Sequence, residues 1–160
     1  MLEGLLQASQ FREPNRYRAA VRRTLEQLLP RVGPDGFLPG SFDSEWRGSS
    51  YCCLTGNAQL AGVLYEWEHL EKPFFDPHPA RALLEFVART QDLETPDANL
   101  RGAVAGSYPI WGRYMAFRYP NWAAKFFVDA LLLEQSLAQA PRRSVPADSI
   151  RSTPLASPTA

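Results

Sequence analysis

Cysteine is scarce in this chain: of 160 residues only Cys52 and Cys53 are cysteine, and they are neighbours. Adjacent cysteines strain the peptide that joins them, which excludes an ordinary disulfide between the two. With no disulfide framework, the composition suits a reducing compartment. Charge of one sign is also missing, because 17 Lys and Arg balance 17 Asp and Glu. The whole chain therefore carries no electrostatic footprint for nucleic acid or an anionic membrane. The basic run Arg16, Arg18, Arg22 and Arg23 reads as the solvated face of a helix with acidic neighbours. No apolar run approaches the length of a membrane span. The opening MLEGLLQASQFREP has no basic start, apolar centre or cleavage site, so no signal peptide is expected and the cytoplasm is the default location. Only two histidines occur, His69 and His78. With so few soft ligands at workable spacing, neither a metal nor another cofactor is expected.

Strand-type alternation is lacking as well, and what replaces it is helical periodicity. Asn15 to Leu29 puts Tyr17, Val21, Leu25 and Leu28 on one face and ends at Pro30. Thr55 to Glu71 groups Leu60, Val63, Leu64, Trp67 and Leu70, with Lys72-Pro73 as the stop. Asp76-Pro77 reads as a cap and first-turn proline for the helix carrying Leu83, Leu84, Phe86 and Val87. A last helix from Pro120-Asn121 to about Gln139 is apolar around most of its circumference, which predicts burial on several sides. Leu2, Leu5 and Leu6 mark the stub of one more. The predicted class is all-α, one domain over 1–140, followed by a Pro/Ser-rich tail over 141–160 that is too poor in apolar surface to order.

An internal echo organises these helices. GFLPGSFDSEW, from Gly36, is answered by GAVAGSYPIW, from Gly102. Both read Gly, three residues, Gly-Ser, an aromatic and then Trp, at Trp46 and Trp111. Each motif follows one helix and precedes another, with Asn57 and Asn121 about eleven residues beyond the Trp. A repeated αα-hairpin with its long loops at one end is the pattern of an α/α barrel. Two units cannot close such a ring, so the sequence predicts a sector that self-associates or lacks neighbouring N-terminal hairpins.

SEWRGSSYCCLTGNAQLA and AGSYPIWGRYMAFRYPNWAAKFFVDALLLE resemble the last hairpins of bacterial α/α-toroid proteins. The superfamilies with this architecture are the six-hairpin glycosidase-like and the terpenoid cyclase/prenyltransferase-like toroids. Some similar proteins are associated with polysaccharide or surface-glycan genes. The resemblance spans about Asp35 to Glu134 and implies architecture rather than a reaction. The Asp-rich motif of squalene–hopene-type cyclases, the Asp, Cys and His zinc set of protein prenyltransferases and the zinc ligands of lanthionine cyclases are all missing here.

Several residue types point to carbohydrate chemistry. Asp43 and Glu45 lie two apart in a loop, and glycoside chemistry uses a carboxylic acid paired with a second carboxylate. In an extended loop both would face one side, roughly 6–7 Å apart at the backbone. The plainer alternative gives Asp43 a turn and pairs Glu45 with Arg47. Cys53, just before a helix, would have a lowered pKa as a nucleophile or simply be buried. Thr55 reads as an N-cap, with Asn57 and Gln59 in the first turns, placed to meet sugar hydroxyls or to satisfy the loop backbone. Trp46, Tyr51, Tyr108, Trp111, Tyr114 and Trp122 supply rings that stack on pyranose faces or fill gaps between helices. Arg47 and Arg113 lie among them, suited to carboxylate or phosphate groups.

The sequence thus predicts an α/α-toroid sector that binds or processes an oligosaccharide, with Asp43 and Glu45 as candidate acids. Substrate contacts are expected from Trp46, Arg47, Tyr51, Asn57, Gln59, Tyr108, Trp111, Arg113, Tyr114 and Asn121. Whether the chain is an enzyme is left open; a glycoside hydrolase or lyase is favoured if it is one. A terpenoid cyclase or prenyltransferase-like toroid, or a non-catalytic helical scaffold, are the alternatives. No nucleic-acid or membrane partner is expected.

Overall fold

The computed structural model describes residues 1–70 and 78–139. The expected stop at Lys72-Pro73, the cap at Asp76-Pro77 and the tail over 141–160 lie outside them. Among the described residues the chain forms α1 (Leu2–Ala8), α2 (Pro14–Leu28), α3 (Leu54–Leu70), α4 (His78–Arg89) and α5 (Asn121–Gln139). No helix among these residues is long and apolar enough to cross a membrane. The class is mainly helical, with one small sheet that periodicity does not reveal: β1 (Cys52–Cys53) pairs antiparallel with β2 (Ser107–Tyr108).

α2 begins with Pro14 at its first position, where a missing N–H costs nothing. Its arginines are largely solvated. Arg16 pairs with Glu13 at 3.0 Å and Arg22 with Glu26 at 3.0 Å, all four side chains well exposed. The buried face, Val21 and Leu25, turns inward.

α3 is the centre of the molecule and packs mainly against α5 and α4, with α1 alongside. Leu54, Ala58 and Ala61 are wholly buried on it, as is Leu83 on α4. Burying each such leucine stabilises the fold by about 1.5–3 kcal/mol. Small residues let α3 and α5 approach closely, since a Cβ built on Gly62 would lie 3.8 Å from that of Ala130. Further along, the Tyr65 hydroxyl donates to Glu134 Oε1 at 2.9 Å. These contacts advance together along both helices, so α3 and α5 run parallel. α4, connecting them in sequence, packs chiefly on α3 and runs back, bringing Phe86 near its C-terminal end against the Tyr108 ring, 5.6 Å between centroids.

One expectation is overturned here. The sequence predicts burial of the last helix on several sides, yet α5 buries only Ala123, Phe127 and Ala130 among the described residues. Val128, Leu131 and Leu132 are exposed. Both helices are apolar over most of their surface, and only the packing decides which one has neighbours all round.

The loops preceding α3 and α5 share a backbone pattern. Gly36 and Gly102 both adopt positive φ, 85° and 74°, a region where a side chain is strained. At Gly36 the space is also closed, because an added Cβ would sit 2.0 Å from the Ala82 carbonyl oxygen. Four residues on, the Gly40 N–H donates to the Tyr51 carbonyl at 2.7 Å, and the Gly106 N–H donates to that of Arg118 at 2.9 Å. Each helix opens three residues after its acceptor. This register aligns Asn121 with Leu54 and Asn57 with Ala124, so the two asparagines are not equivalent positions.

Candidate functional site

The two Gly-Ser-aromatic loops meet edge to edge at the N-terminal ends of α3 and α5. Pro39 bridges to Cys52, Cys52 pairs with Tyr108, and Cys53 pairs with Ser107. The Leu54 N–H adds a bond to the Gly106 carbonyl at 3.2 Å. This short sheet fixes the second loop across the first, and it raises Trp111 between two depressions.

The first depression, about 380 Å³, is lined on its polar side by Thr90, Asp92, Thr95 and Ser107 and on its aromatic side by Tyr108, Trp111 and Tyr119. The second, about 450 Å³, takes Ser41, Ser49, Ser50 and Tyr51 from the first loop and Gly112 and Arg113 from the second. Pro109 and Trp111 border both. Trp111 stands 67% exposed, its indole largely free of protein neighbours. Ser107 is buried, and its Oγ has no hydrogen-bond partner among the described residues. The wall between the depressions depends on Gly112, where a Cβ would come within 2.7 Å of Ser107 Oγ and 2.9 Å of Tyr51 Cβ.

Of the residues predicted from sequence, Tyr51, Tyr108, Trp111 and Arg113 come together at this place. The others do not line either depression. Trp46 occupies the left-handed position, φ 61°, of the three-residue hairpin loop 44–46, closed by the Asp43 N–H donating to the Arg47 carbonyl at 3.1 Å and flanked by the Phe42–Gly48 bridge. One ring face lies beneath the Arg31 guanidinium at 4.6 Å, and Phe42 tilts against it at 5.6 Å. One face is therefore already occupied, and the residue is 37% exposed against 67% for Trp111. Tyr114 accepts a hydrogen bond from Trp122 Nε1 at 3.1 Å, and Asn121 starts α5 on the exposed surface.

The acid pair serves the same hairpin. Asp43 Oδ1 accepts the amides of Glu45 and Arg47, both at 2.9 Å, and its Oδ2 accepts from Arg47 Nε at 2.7 Å. Arg47 Nη1 reaches Glu45 at 3.1 Å. The Arg47 side chain and these amides hold the Asp43 carboxyl below the usual aspartate range. A carboxyl held ionised in this way is a poor proton donor near neutrality, and neither acid faces the two depressions. The geometry is that of the plainer alternative, a turn closed by an ion pair, and it leaves Arg47 engaged.

The amide run is likewise internal. Asn57 is buried, donating through Nδ2 to the Gly36 carbonyl at 2.9 Å and accepting from Cys52 Sγ at 3.2 Å. The N-cap is not Thr55, which lies inside α3, but Cys53, whose sulfur accepts the Gly56 amide at 3.3 Å. Burial pushes the Cys53 thiol up despite that bond, and pushes Cys52 up to about 12. A lowered, nucleophilic Cys53 is therefore not what the fold makes. Asn57 and Gln59 instead border an apolar groove of about 320 Å³ among Leu2, Leu28, Leu38, Phe42 and Leu60.

Sequence reasoning missed Thr90, Asp92 and Thr95. They lie in TQDLETPDANLRG, where the only available signal is turn chemistry. Asp92 Oδ1 accepts the Glu94 and Thr95 amides, and its carbonyl accepts the Gly102 N–H at 2.9 Å. The turn that Asp92 makes is thus what brings this segment up to the second loop. Among the described residues, no group of three or more His, Cys, Asp or Glu is placed to hold a metal ion. Comparison with protein-family models, with curated proteins and with solved structures finds no match to this chain.

Proposed function

We propose that the paired depressions bind an oligosaccharide, with Trp111 as the stacking platform between two sugar subsites. The observation that carries this reading is the exposed Trp111 ring, raised by the β1–β2 pairing between two depressions that each mix apolar walls with hydroxyl side chains. A pyranose ring has an apolar C–H face and a polar rim. An aromatic face bordered by Ser, Thr and Asp side chains complements both. Among the described residues the one carboxylate lining the depressions is Asp92, and glycoside cleavage ordinarily requires two. Binding rather than hydrolysis is accordingly the function favoured.

The architecture suits an α/α-toroid sector, in which the parallel helices α3 and α5 are the inner pair and α4 is an outer helix. The exposed apolar face of α5 would then be the side on which the next hairpin packs. The resemblance to glycan-associated toroid proteins supports the same reading.

Saturation-transfer NMR with neutral and acidic oligosaccharides tests it. Transfer to sugar protons is expected with the native chain, with loss in Trp111→Ala and retention in Trp46→Ala. Absence of transfer from every sugar tried, or equal loss in both variants, would sink the assignment.

A terpenoid or acyl ligand is the second reading, favoured by the apolar groove between α1, α2 and α3. Displacement of a fluorescent fatty-acid probe, abolished by Leu60→Glu and unaffected by Trp111→Ala, would favour it instead.

A further inference from the structure

The two depressions differ in charge. Around the first, the charged residue is Asp92; around the second, it is Arg113. Arg113 is exposed, and its guanidinium has no hydrogen-bond or ion-pair partner among the described residues. Arg12, Arg23 and Arg118 share this among the described residues, but only Arg113 lines the depression, whereas Arg16, Arg22, Arg47 and Arg81 each meet a carboxylate within 3.0 Å. Arg89 and Arg101 instead reach backbone carbonyls of Asp35 and Thr95.

The neighbours of Arg113 in the depression are hydroxyls and rings. Ser49 Oγ is committed, donating to the Tyr51 carbonyl at 3.1 Å and accepting the Ser41 amide at 3.2 Å. The Ser41 and Ser50 hydroxyls are exposed and have no partner among the described residues. A planar guanidinium matches a carboxylate with two parallel N–H···O bonds, and serine hydroxyls can add a third.

We propose that the subsite formed by Arg113, Ser41 and Ser50 takes the carboxylate of a uronic-acid residue whose ring stacks on Trp111. This rests on the carbohydrate reading above and names its substrate class. Asp92 repels an anion from the first depression, so the neighbouring sugar there is neutral. The chain therefore binds its glycan in one direction, acidic unit toward the first loop and neutral unit toward Thr90 and Thr95.

The test uses the full chain and two matched probes, a disaccharide of one galacturonic-acid and one neutral residue and its methyl ester, titrated calorimetrically in low salt. The galacturonate is expected to bind roughly tenfold or more tighter than the ester, as charge-assisted hydrogen bonds to a carboxylate allow. That preference should shrink with added salt and disappear in Arg113→Gln, the two probes then binding alike. Arg113→Lys should restore part of it. Arg113 has no partner to lose, so an unchanged circular dichroism spectrum is expected for both variants. Equal binding of the two probes to the native chain overturns the acidic subsite and leaves the carbohydrate reading standing. Binding of neither probe, or of any neutral sugar, overturns both. Stronger binding of a sulfated disaccharide than of galacturonate overturns the carboxylate assignment.

Discussion

Asn57 Nδ2 donates to the carbonyl oxygen of Gly36 at 2.9 Å, tying the first turn of α3 to a left-handed turn 21 residues earlier in the chain. The amide oxygen is used as well, by Cys52 Sγ. Truncating Asn57 leaves a buried carbonyl without its donor, which costs about 1–3 kcal/mol. Asn57→Ala is expected to lower stability by that amount in urea unfolding. Sugar binding per folded molecule should not change.

The Asp43–Arg47 pair gives a pH signature with a defined sign. Because the folded pKa of Asp43 is lowered, its contribution is present above the ordinary aspartate range. It is lost as pH falls below that range and through the folded value. Arg47→Ala should move Asp43 back toward the ordinary range in a carboxyl-carbon NMR titration, leaving stability at pH 7 little altered because the pair is exposed. Asp43→Asn should not affect glycan binding. A binding or turnover loss in that variant would return the acid pair to the site.

The cysteines carry the opposite sign. Burial raises both thiols, Cys52 up to about 12, so the unfolded chain ionises first as pH rises. Their contribution is complete below the unfolded thiol pKa, near 8.5, and is lost as pH climbs from there toward the folded values. Iodoacetamide at pH 8 is expected to label Cys52 far more slowly in the native protein than in denaturant. Rapid native labelling at Cys52 would contradict the packing described.

Two glycines separate crowding from free space. Gly112→Ala pushes a methyl into Ser107 and Tyr51, so a loss of about 1–3 kcal/mol and a disturbed Trp111 platform are expected. Gly62→Ala meets its nearest neighbours at ordinary contact distance, 3.8 Å and 4.0 Å. It should gain up to about 1 kcal/mol from helix propensity alone. Thermal unfolding of the two variants should therefore shift in opposite directions.

The outward face of α5 offers a further check. Leu132 is 58% exposed, and an exposed residue changes stability by about 0.5 kcal/mol or less when made polar. Leu132→Gln is expected to behave so at micromolar concentration. A core-sized loss would mean that this face is covered in solution by another copy, which light scattering would register as a doubled mass.

Much of the helical layout was legible, because periodicity marks helix starts to within about a residue. The sequence predicts Asn15 to Leu29 where α2 spans Pro14–Leu28, a start at Thr55 where α3 opens at Leu54, and a start at Pro120-Asn121 where α5 opens at Asn121. Which apolar helix is central was not legible, since circumference alone cannot say where neighbours stand. Composition found the rings but not their surroundings. Trp46 and Trp111 look alike in the motif, yet Arg31 covers one while the other stands clear. Asp92 escaped notice because nothing periodic leads to it. The Trp-to-Asn spacing misled for a related reason. The structural repeat is carried by the amides of Gly40 and Gly106, and side-chain identity does not follow it.

Cross-strand pairing at Cys52–Tyr108 and Cys53–Ser107 also sets a gauge for the proposed glycan cleft. Side chains on a strand alternate, so a slip of one residue would exchange the faces of Ser107 and Tyr108, and a slip of two would leave neither pair of this two-residue ladder. The placement of Arg113 relative to Ser50 is therefore tied to one register. Changes of loop length beyond the paired residues would alter which sugar substituents are met while leaving the spacing of the two subsites untouched.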